Sequence, residues 1–235
     1  MSAFKSVALL TGAGISAESG IATFRGAGGL WENHSIEEVA TPQGFERDPL
    51  LVWRFYEARR IQGAKCEPNK GHHAIARLEG RLEGRFTLIT QNVDGLHARA
   101  GSRNVLELHG SLWRVRCARC GFKGEDRRAP LPQLPPRCAC GALLRPDIVW
   151  FGEPLDERIL GSAITAAERC GLFLVVGTSG VVEPAASLAR IACANGAEVW
   201  EVNPEKTPLT EVCARSFRSP AGEVMDGVVD EILRS

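Results

Sequence analysis

The sequence predicts an α/β fold, a doubly wound parallel sheet that carries a smaller inserted lobe. Three observations predict it: apolar runs too continuous to alternate, amphipathic stretches between them, and two segments that interrupt this rhythm. Strands covered by helices on both faces are apolar on both faces, so they read as unbroken runs. Alternation of such runs with helical stretches implies crossovers, and hence parallel strands.

The elements follow in order. Residues 6–10 form a short apolar strand that ends at a glycine turn, and residues 17–20 open a short helix. Residues 86–90, 171–177 and 198–202 supply three further strands. Helical patterns cover residues 73–79, 156–169 and 184–195, with Gly71, His72 and His73 marking a helix start. Residues 221–233 place Val224, Val228, Val229 and Ile232 on one helical face. Residues 35–70 are helical and charged, whereas residues 111–148 hold four cysteines, many arginines and a cluster of prolines. These two insertions are expected to form the small lobe. Residues 1–34, 71–110 and 149–235 are expected to form the large, Rossmann-like lobe of the same single domain.

Composition narrows the function. The chain has 28 basic and 28 acidic residues, so its formal net charge is zero. That balance argues against a protein whose main task is neutralising nucleic-acid phosphates. The apolar stretch Val7–Leu10 is too short for a secretory signal, and no window approaches the roughly 18 apolar residues that span a membrane. A cytoplasmic protein is expected. Disulfides are rare there, so the eight cysteines call for another explanation.

Their spacing supplies one. Cys117 and Cys120 form one close pair, Cys138 and Cys140 another, and residues 121–137 separate them. Two such pairs can give four thiolates to one tetrahedral zinc ion. Gly121 and Gly141 each follow the second cysteine of a pair, where a knuckle turn calls for positive φ. Four cysteines leave no open position for water, so the zinc is expected to be structural.

The second motif is the glycine loop, Gly12-Ala13-Gly14, between the first strand and a helix. Gly12 and Gly14 permit a tight turn and close approach of a pyrophosphate, with Ala17 in place of the third glycine of a dinucleotide fingerprint. The acidic residue that would bind a ribose is not evident, because residues 22–34 read as a loop. An ordinary dehydrogenase fingerprint is therefore not present.

At this point the motifs resemble a family. Gly12 to Ser16 followed by Thr23-Phe24-Arg25 resembles the NAD-binding signature of the sirtuins. Residues 90–97 (TQNVDGLH) look like its second block, and residues 106–110 (LELHG) match the block carrying the catalytic histidine. The cysteine pairs, residues 145–153 (RPDIVWFGE) and Val176 to Ser179 follow in the family's order. The resemblance covers nearly the whole chain and is to the bacterial kind.

It implies a set of roles. NAD would be bound by Gly12, Ala13, Gly14 and Ala17, by Thr23, Phe24, Arg25 and Trp31, and by Gln91, Asn92 and Asp94 around the nicotinamide. Gly177, Thr178, Ser179, Asn203 and Ala221 would line the adenosine side. Val149, Trp150, Phe151, Gly152 and Glu153, with Val181 in the stretch Gly180 to Glu183, would pair with an extended peptide as an added strand. In the family, the acyl-lysine carbonyl oxygen attacks the ribose carbon as nicotinamide leaves. His109 would then act as general base on a ribose hydroxyl, a task suited to a group whose ordinary pKa lies near neutrality.

The acyl group has its own signal. Asp48 and Pro49 make a good helix start, and Tyr56 and Arg59 then share a face at i and i+3. A guanidinium can bind a carboxylate through two hydrogen bonds, and a phenol can add a third. This pair resembles the class III, desuccinylase-type sirtuins, which implies removal of succinyl and malonyl groups, with acetyl alongside. Arg60 is expected to be the solvated neighbour. The competing readings are a plain deacetylase, a protein ADP-ribosyltransferase on the same fold, a nicotinamide dehydrogenase, and a zinc-ribbon nucleic-acid module built on the arginines near the cysteines. The expected partner is acylated lysine in extended protein segments, bound by a monomer with no membrane or direct nucleic-acid contact.

Overall fold

The computed structural model describes residues 4–22 and 34–234. Strand β1 (Val7–Thr11) leads into a 3-10 turn (Ala13–Ser19). Helices α1 (Ile36–Val39), α2 (Pro42–Arg47), α3 (Pro49–Lys65) and α4 (Lys70–Leu82) follow, then β2 (Phe86–Thr90), α5 (Leu96–Arg99) and β3 (Val105–Glu107). Next come β4 (Gly110–Cys117), β5 (Lys123–Glu125), β6 (Leu144–Ile148) and α6 (Glu157–Arg169). The chain ends with β7 (Leu172–Val176), α7 (Ser187–Ala194), β8 (Glu198–Val202), a second 3-10 turn (Thr210–Val212), β9 (Arg215–Phe217) and α8 (Ala221–Arg234).

Six strands form one parallel sheet in the order β3-β2-β1-β7-β8-β9. The expected strands are β1, β2, β7 and β8; the three-residue edge strands β3 and β9 are too short to have left a pattern. On β1 every residue is buried, and its side chains alternate between two cores. Val7 and Leu9 meet α4 and α8 through Ile75, Leu78, Val228 and Val229. Ala8 and Leu10 face α6 and α7 through Ala163, Ala167, Leu188 and Ala189. Burying a leucine on each side of one strand contributes about 1.5–3 kcal/mol per side chain, which is why the run does not alternate.

Local chemistry sets the helix ends. Asp48 caps α3 by accepting the Leu51 N–H at 2.9 Å, with Pro49 in the first turn as expected. Helix α4 begins at Lys70, ahead of the predicted start, because Asn69 accepts from Gly71 and His72. Helix α7 starts at Ser187, and residues 184–186 are turn. The helix expected to open at residue 17 is instead the 3-10 turn from Ala13. It stops at Gly20, whose φ of 86° is left-handed.

A third core joins the two insertions. Val52, Trp53, Phe55 and Tyr56 of α3 pack with Trp113, Val115, Leu144 and Trp150. Strands β5, β4 and β6 form a small antiparallel sheet there. Its signal was the alternation of Trp113, Val115 and Cys117, which are buried, with Arg114 and Arg116, which are half-buried. Those arginines are paired with carboxylates: Arg114 with Glu107 at 2.6 Å and Arg116 with Glu153 at 2.9 Å. Among the described residues, no helix is long and apolar enough to cross a membrane.

Candidate active site

Parallel sheets bind nucleotides at the carboxyl edge where the strand order reverses. Here that point lies between β1 and β7, whose last residues Thr11 and Val176 are in register. The Gly14 N–H donates to the Gly177 carbonyl at 2.7 Å, so the glycine loop lies directly against the β7 loop. A Cβ on Gly14 would sit 2.7 Å from that oxygen. The glycine is therefore demanded by loop-on-loop packing as well as by any phosphate. Within the 3-10 turn Ile15 and Ser16 are buried, whereas Ala17 is exposed. Ala17 thus does not take the helix-to-strand packing place that a third fingerprint glycine holds, because the turn rotates Ile15 into the core instead.

Gln91, Asn92 and Asp94 follow β2 on the same edge. Gln91 donates from its amide to the Thr178 hydroxyl at 2.9 Å, and Asn92 donates to the Gly12 carbonyl at 3.1 Å. Asn203, just after β8, donates to the Thr178 carbonyl at 2.7 Å, while its own oxygen accepts the Glu205 N–H. Ala221 is buried at the start of α8. Gly177 and Ser179 stay half-buried around Thr178. Thr23, Phe24, Arg25 and Trp31 lie outside the described residues.

Ser16 is the residue that sequence reasoning left out. It donates to Asp94 at 2.8 Å and accepts from Asn92 at 3.1 Å. Its Oγ also lies 3.4 Å from Nε2 of His72, whose Nδ1 accepts the Asn69 N–H. The His97 ring lies 4.9 Å from that of His72, tilted by 59°, and reaches Thr11 at 2.9 Å. Burial pushes His72 down to about 4 and His97 down to about 3, so both are neutral. Burial also pushes the Asp94 carboxyl up. Asn92, Asp94, Ser16 and Ala13 line one recess, and Arg59 of α3 lines it too.

His109 stands between β3 and β4, half-buried. Its Nδ1 lies 3.0 Å from the Gln91 carbonyl, an acceptor only, so Nδ1 carries the proton and Nε2 keeps its lone pair. Burial holds its pKa below the ordinary histidine value, partly opposed by that carbonyl.

On α3, Tyr56 and Arg59 are both buried. Tyr56 accepts a hydrogen bond from the Trp150 indole at 2.9 Å. Arg60 is not solvated. It is 1% exposed, donates to the carbonyls of Leu112, Asp126 and Arg128, and lies over the Trp113 ring. The helix turns it into the third core, where those loop carbonyls need a donor. Val149 and Trp150 leave β6 without regular structure, and the chain then turns at Phe151 and Gly152. The N–H groups of Val149, Trp150 and Phe151 already bond His109, Glu153 and Ala40, and Gly152 turns at a φ of 86°. Phe151 and Val181 are exposed, 48% and 55%.

With this geometry established, known proteins supply the comparison. The Sir2 family model matches residues 12–184. The NAD-dependent protein deacylase of Aquifex aeolicus (strain VF5) is 51% identical over 225 residues, 95% of this chain and 94% of that protein. The chain belongs to the Sir2 family. A solved complex of a Sir2 homologue with NAD is 49% identical, with a TM-score of 0.92 over 99% of this chain and 91% of that one. Sir2Af2 bound to a myristoylated histone peptide is 40% identical, with a TM-score of 0.79 over 99% and 92%.

This Sir2-family chain also has its metal centre. The Sγ atoms of Cys117, Cys120, Cys138 and Cys140 all lie within 4.8 Å of one another. Cys117 and Cys140 are 3.5 Å apart, Cys120 and Cys138 3.7 Å. A tetrahedral zinc with Zn–S bonds of about 2.3 Å sets its sulfurs roughly 3.8 Å apart, so the four thiols fit one structural zinc. Backbone N–H groups of Cys120 and Arg119 pull the Cys117 thiol down, and those of Ala142 with the Arg119 side chain pull Cys140 down to about 6. Gly121 and Gly141 turn at φ 73° and 85°, as the knuckles require.

Proposed function

We propose that this chain is an NAD-dependent protein-lysine deacylase that removes succinyl, malonyl and acetyl groups from lysines in extended protein segments. The products are nicotinamide, O-acyl-ADP-ribose and free lysine. Relatives named NAD-dependent protein deacylases support the reaction class. The observation that carries the acyl preference is that Arg59 lines the same recess as Asn92 and Asp94. A guanidinium at that depth suits an acyl chain that ends in a carboxylate.

The β1–β7 loops fit a dinucleotide, with Gly12, Ala13 and Gly14 on the pyrophosphate and Gly177, Thr178, Ser179, Asn203 and Ala221 on the adenosine side. Bound NAD supplies an electrophilic ribose carbon and a nicotinamide leaving group. Gln91, Asn92 and Asp94 orient the nicotinamide end. Nε2 of His109 accepts a ribose hydroxyl proton, and Gln91 holds the imidazole for it. Thr23, Phe24, Arg25 and Trp31 belong to the nicotinamide side of this reading. The large lobe of residues 1–34, 71–110 and 149–235 then holds NAD, and residues 35–70 and 111–148 form the small lobe. The peptide enters past Phe151 and Val181, and the protein acts as a cytoplasmic monomer.

The test is a competition between one peptide sequence carrying acetyl-lysine and the same sequence carrying succinyl-lysine, with NAD and mass-spectrometric detection. Faster loss of succinyl with matching nicotinamide release is expected. Arg59→Met should lower succinyl turnover roughly tenfold or more relative to acetyl. Equal loss of both activities in that variant overturns the acyl assignment, and transfer of label from NAD to protein overturns deacylation.

A further inference from the structure

The Trp150–Tyr56 hydrogen bond bears on selectivity, because a phenol has one proton and a limited set of lone pairs. An indole N–H can only donate, so at 2.9 Å it occupies an acceptor position of the Tyr56 oxygen. The Tyr56 proton is then directed away from Trp150. Burial pushes the phenol pKa well above its ordinary value, which keeps that proton in place at any physiological pH.

The indole is itself clamped. The Arg145 guanidinium lies 3.3 Å from the Trp150 ring centre. Arg145 donates to both Glu153 oxygens, at 2.7 and 2.8 Å, and to the Ile148 carbonyl at 3.0 Å. Glu153 also accepts the Trp150 backbone N–H at 2.9 Å and a bond from Arg116. Arg145 belongs to β6 and Arg116 to β4, the strands that carry the metal module. Trp150 is 2% exposed and Tyr56 1%, so water does not compete for either group.

We infer that Trp150 is a positioning residue for acyl selectivity: by donating to Tyr56 it makes the phenol a hydrogen-bond donor toward an acidic acyl group, with Arg145 and Glu153 holding the indole. The inference rests on the acyl reading of Tyr56 and Arg59. In the absence of the indole donor, the Tyr56 proton is free to turn toward other acceptors and its alignment to a carboxylate is lost. Trp150 acts through Tyr56 and needs no contact of its own with the acyl group.

The experiment compares wild type, Trp150→Phe, Tyr56→Phe and the double variant on one peptide carrying succinyl- or acetyl-lysine, with kcat and KM measured for each. Trp150→Phe keeps an aromatic ring for Arg145 and removes the donor along with part of the buried ring. Its succinyl-peptide KM should rise about tenfold relative to its acetyl-peptide KM. The double variant should show no further loss beyond Tyr56→Phe, because both act on one hydrogen bond. A wild-type KM ratio in Trp150→Phe, with a lowered preference in Tyr56→Phe, overturns this inference and leaves the acyl reading standing. An unchanged ratio in both Tyr56→Phe and Arg59→Met overturns the acyl reading and this inference with it. If Trp150→Phe does not fold, replacement of the indole by benzothiophene, its isostere without an N–H, puts the same question with shape preserved.

Discussion

His109 holds its Nδ1 3.0 Å from the carbonyl of Gln91, and Gln91 in turn reaches Thr178 with its side chain. One residue thus fixes the tautomer of this imidazole and ties it to the loop after β7. The expected consequence is a specific pH profile. A histidine whose pKa is lowered stays neutral, and competent as a base, to a lower pH than a free one. The acid limb of kcat/KM should therefore have its midpoint below 6.5, and His109→Ala should lose at least about a hundredfold in activity while retaining its fold. A midpoint at or above 6.5, or substantial activity in the variant, contradicts the assignment.

Acid stability follows from the pair His72 and His97. Both have folded pKa values below the unfolded 6.5, at about 4 and about 3. The unfolded chain therefore binds more protons as pH falls through 6.5, and stability is lost in the window from about 6.5 down to those values. Between pH 7 and pH 5.5 the loss is on the order of 1 kcal/mol for each ring, or about 4–8 °C in Tm for the two together. Asp94, whose pKa is raised, contributes with the opposite sign, and comparison with variants that lack only the histidines separates the two effects. Calorimetry of a His72→Gln, His97→Gln double variant should show a flatter dependence; an unchanged slope would mean that these rings do not set it.

Metal removal tests the cysteine centre. The third core holds Trp53, Trp113 and Trp150 and includes Cys117 among its buried residues, whereas Trp200 lies in a sheet core. Chelation to a verified metal-free state should red-shift the fluorescence of that core, lower Tm and end activity. Cys138→Ala should behave similarly. Full activity of metal-free protein is the outcome that would sink the structural role of zinc.

Arg59 and Arg60 are neighbours with separable effects. Arg60→Met leaves the Leu112, Asp126 and Arg128 carbonyls without the guanidinium that they share, and should destabilise by about 3–5 kcal/mol. The exposed Arg54→Met on the same helix should stay within about 0.5 kcal/mol. Urea denaturation measures both, and equal midpoints for the two variants would show that the Arg60 bonds carry little.

Much of the fold was legible because burial on both faces leaves an unmistakable apolar run. That is the case for β1, β2, β7 and β8, whose interiors are nearly all hidden. The zinc ligands were legible because metal geometry needs close pairs. Arg60 was not legible: its neighbours in sequence are ordinary for a solvated helix face. Only the approach of Leu112, Asp126 and Arg128 from distant segments makes a buried guanidinium worthwhile. The 3-10 turn was likewise hidden, because its end depends on Gly20 and its burial on Ile15.

The sequence by itself determined the four central strands of the parallel sheet, the glycine loop, the four cysteines, the candidate base and the family, since each is written in local composition and spacing. Tertiary structure alone decided that β1 and β7 are neighbours and that Ser16 joins Asn92 to Asp94. It also decided that Arg59 lines one recess with Asn92 and Asp94 while Arg60 turns into the core, and that Trp150 donates to Tyr56. The physical reason is common to these cases. Hydrogen bonds and burial between residues far apart in the chain depend on register and crossing of elements, and no local pattern encodes those.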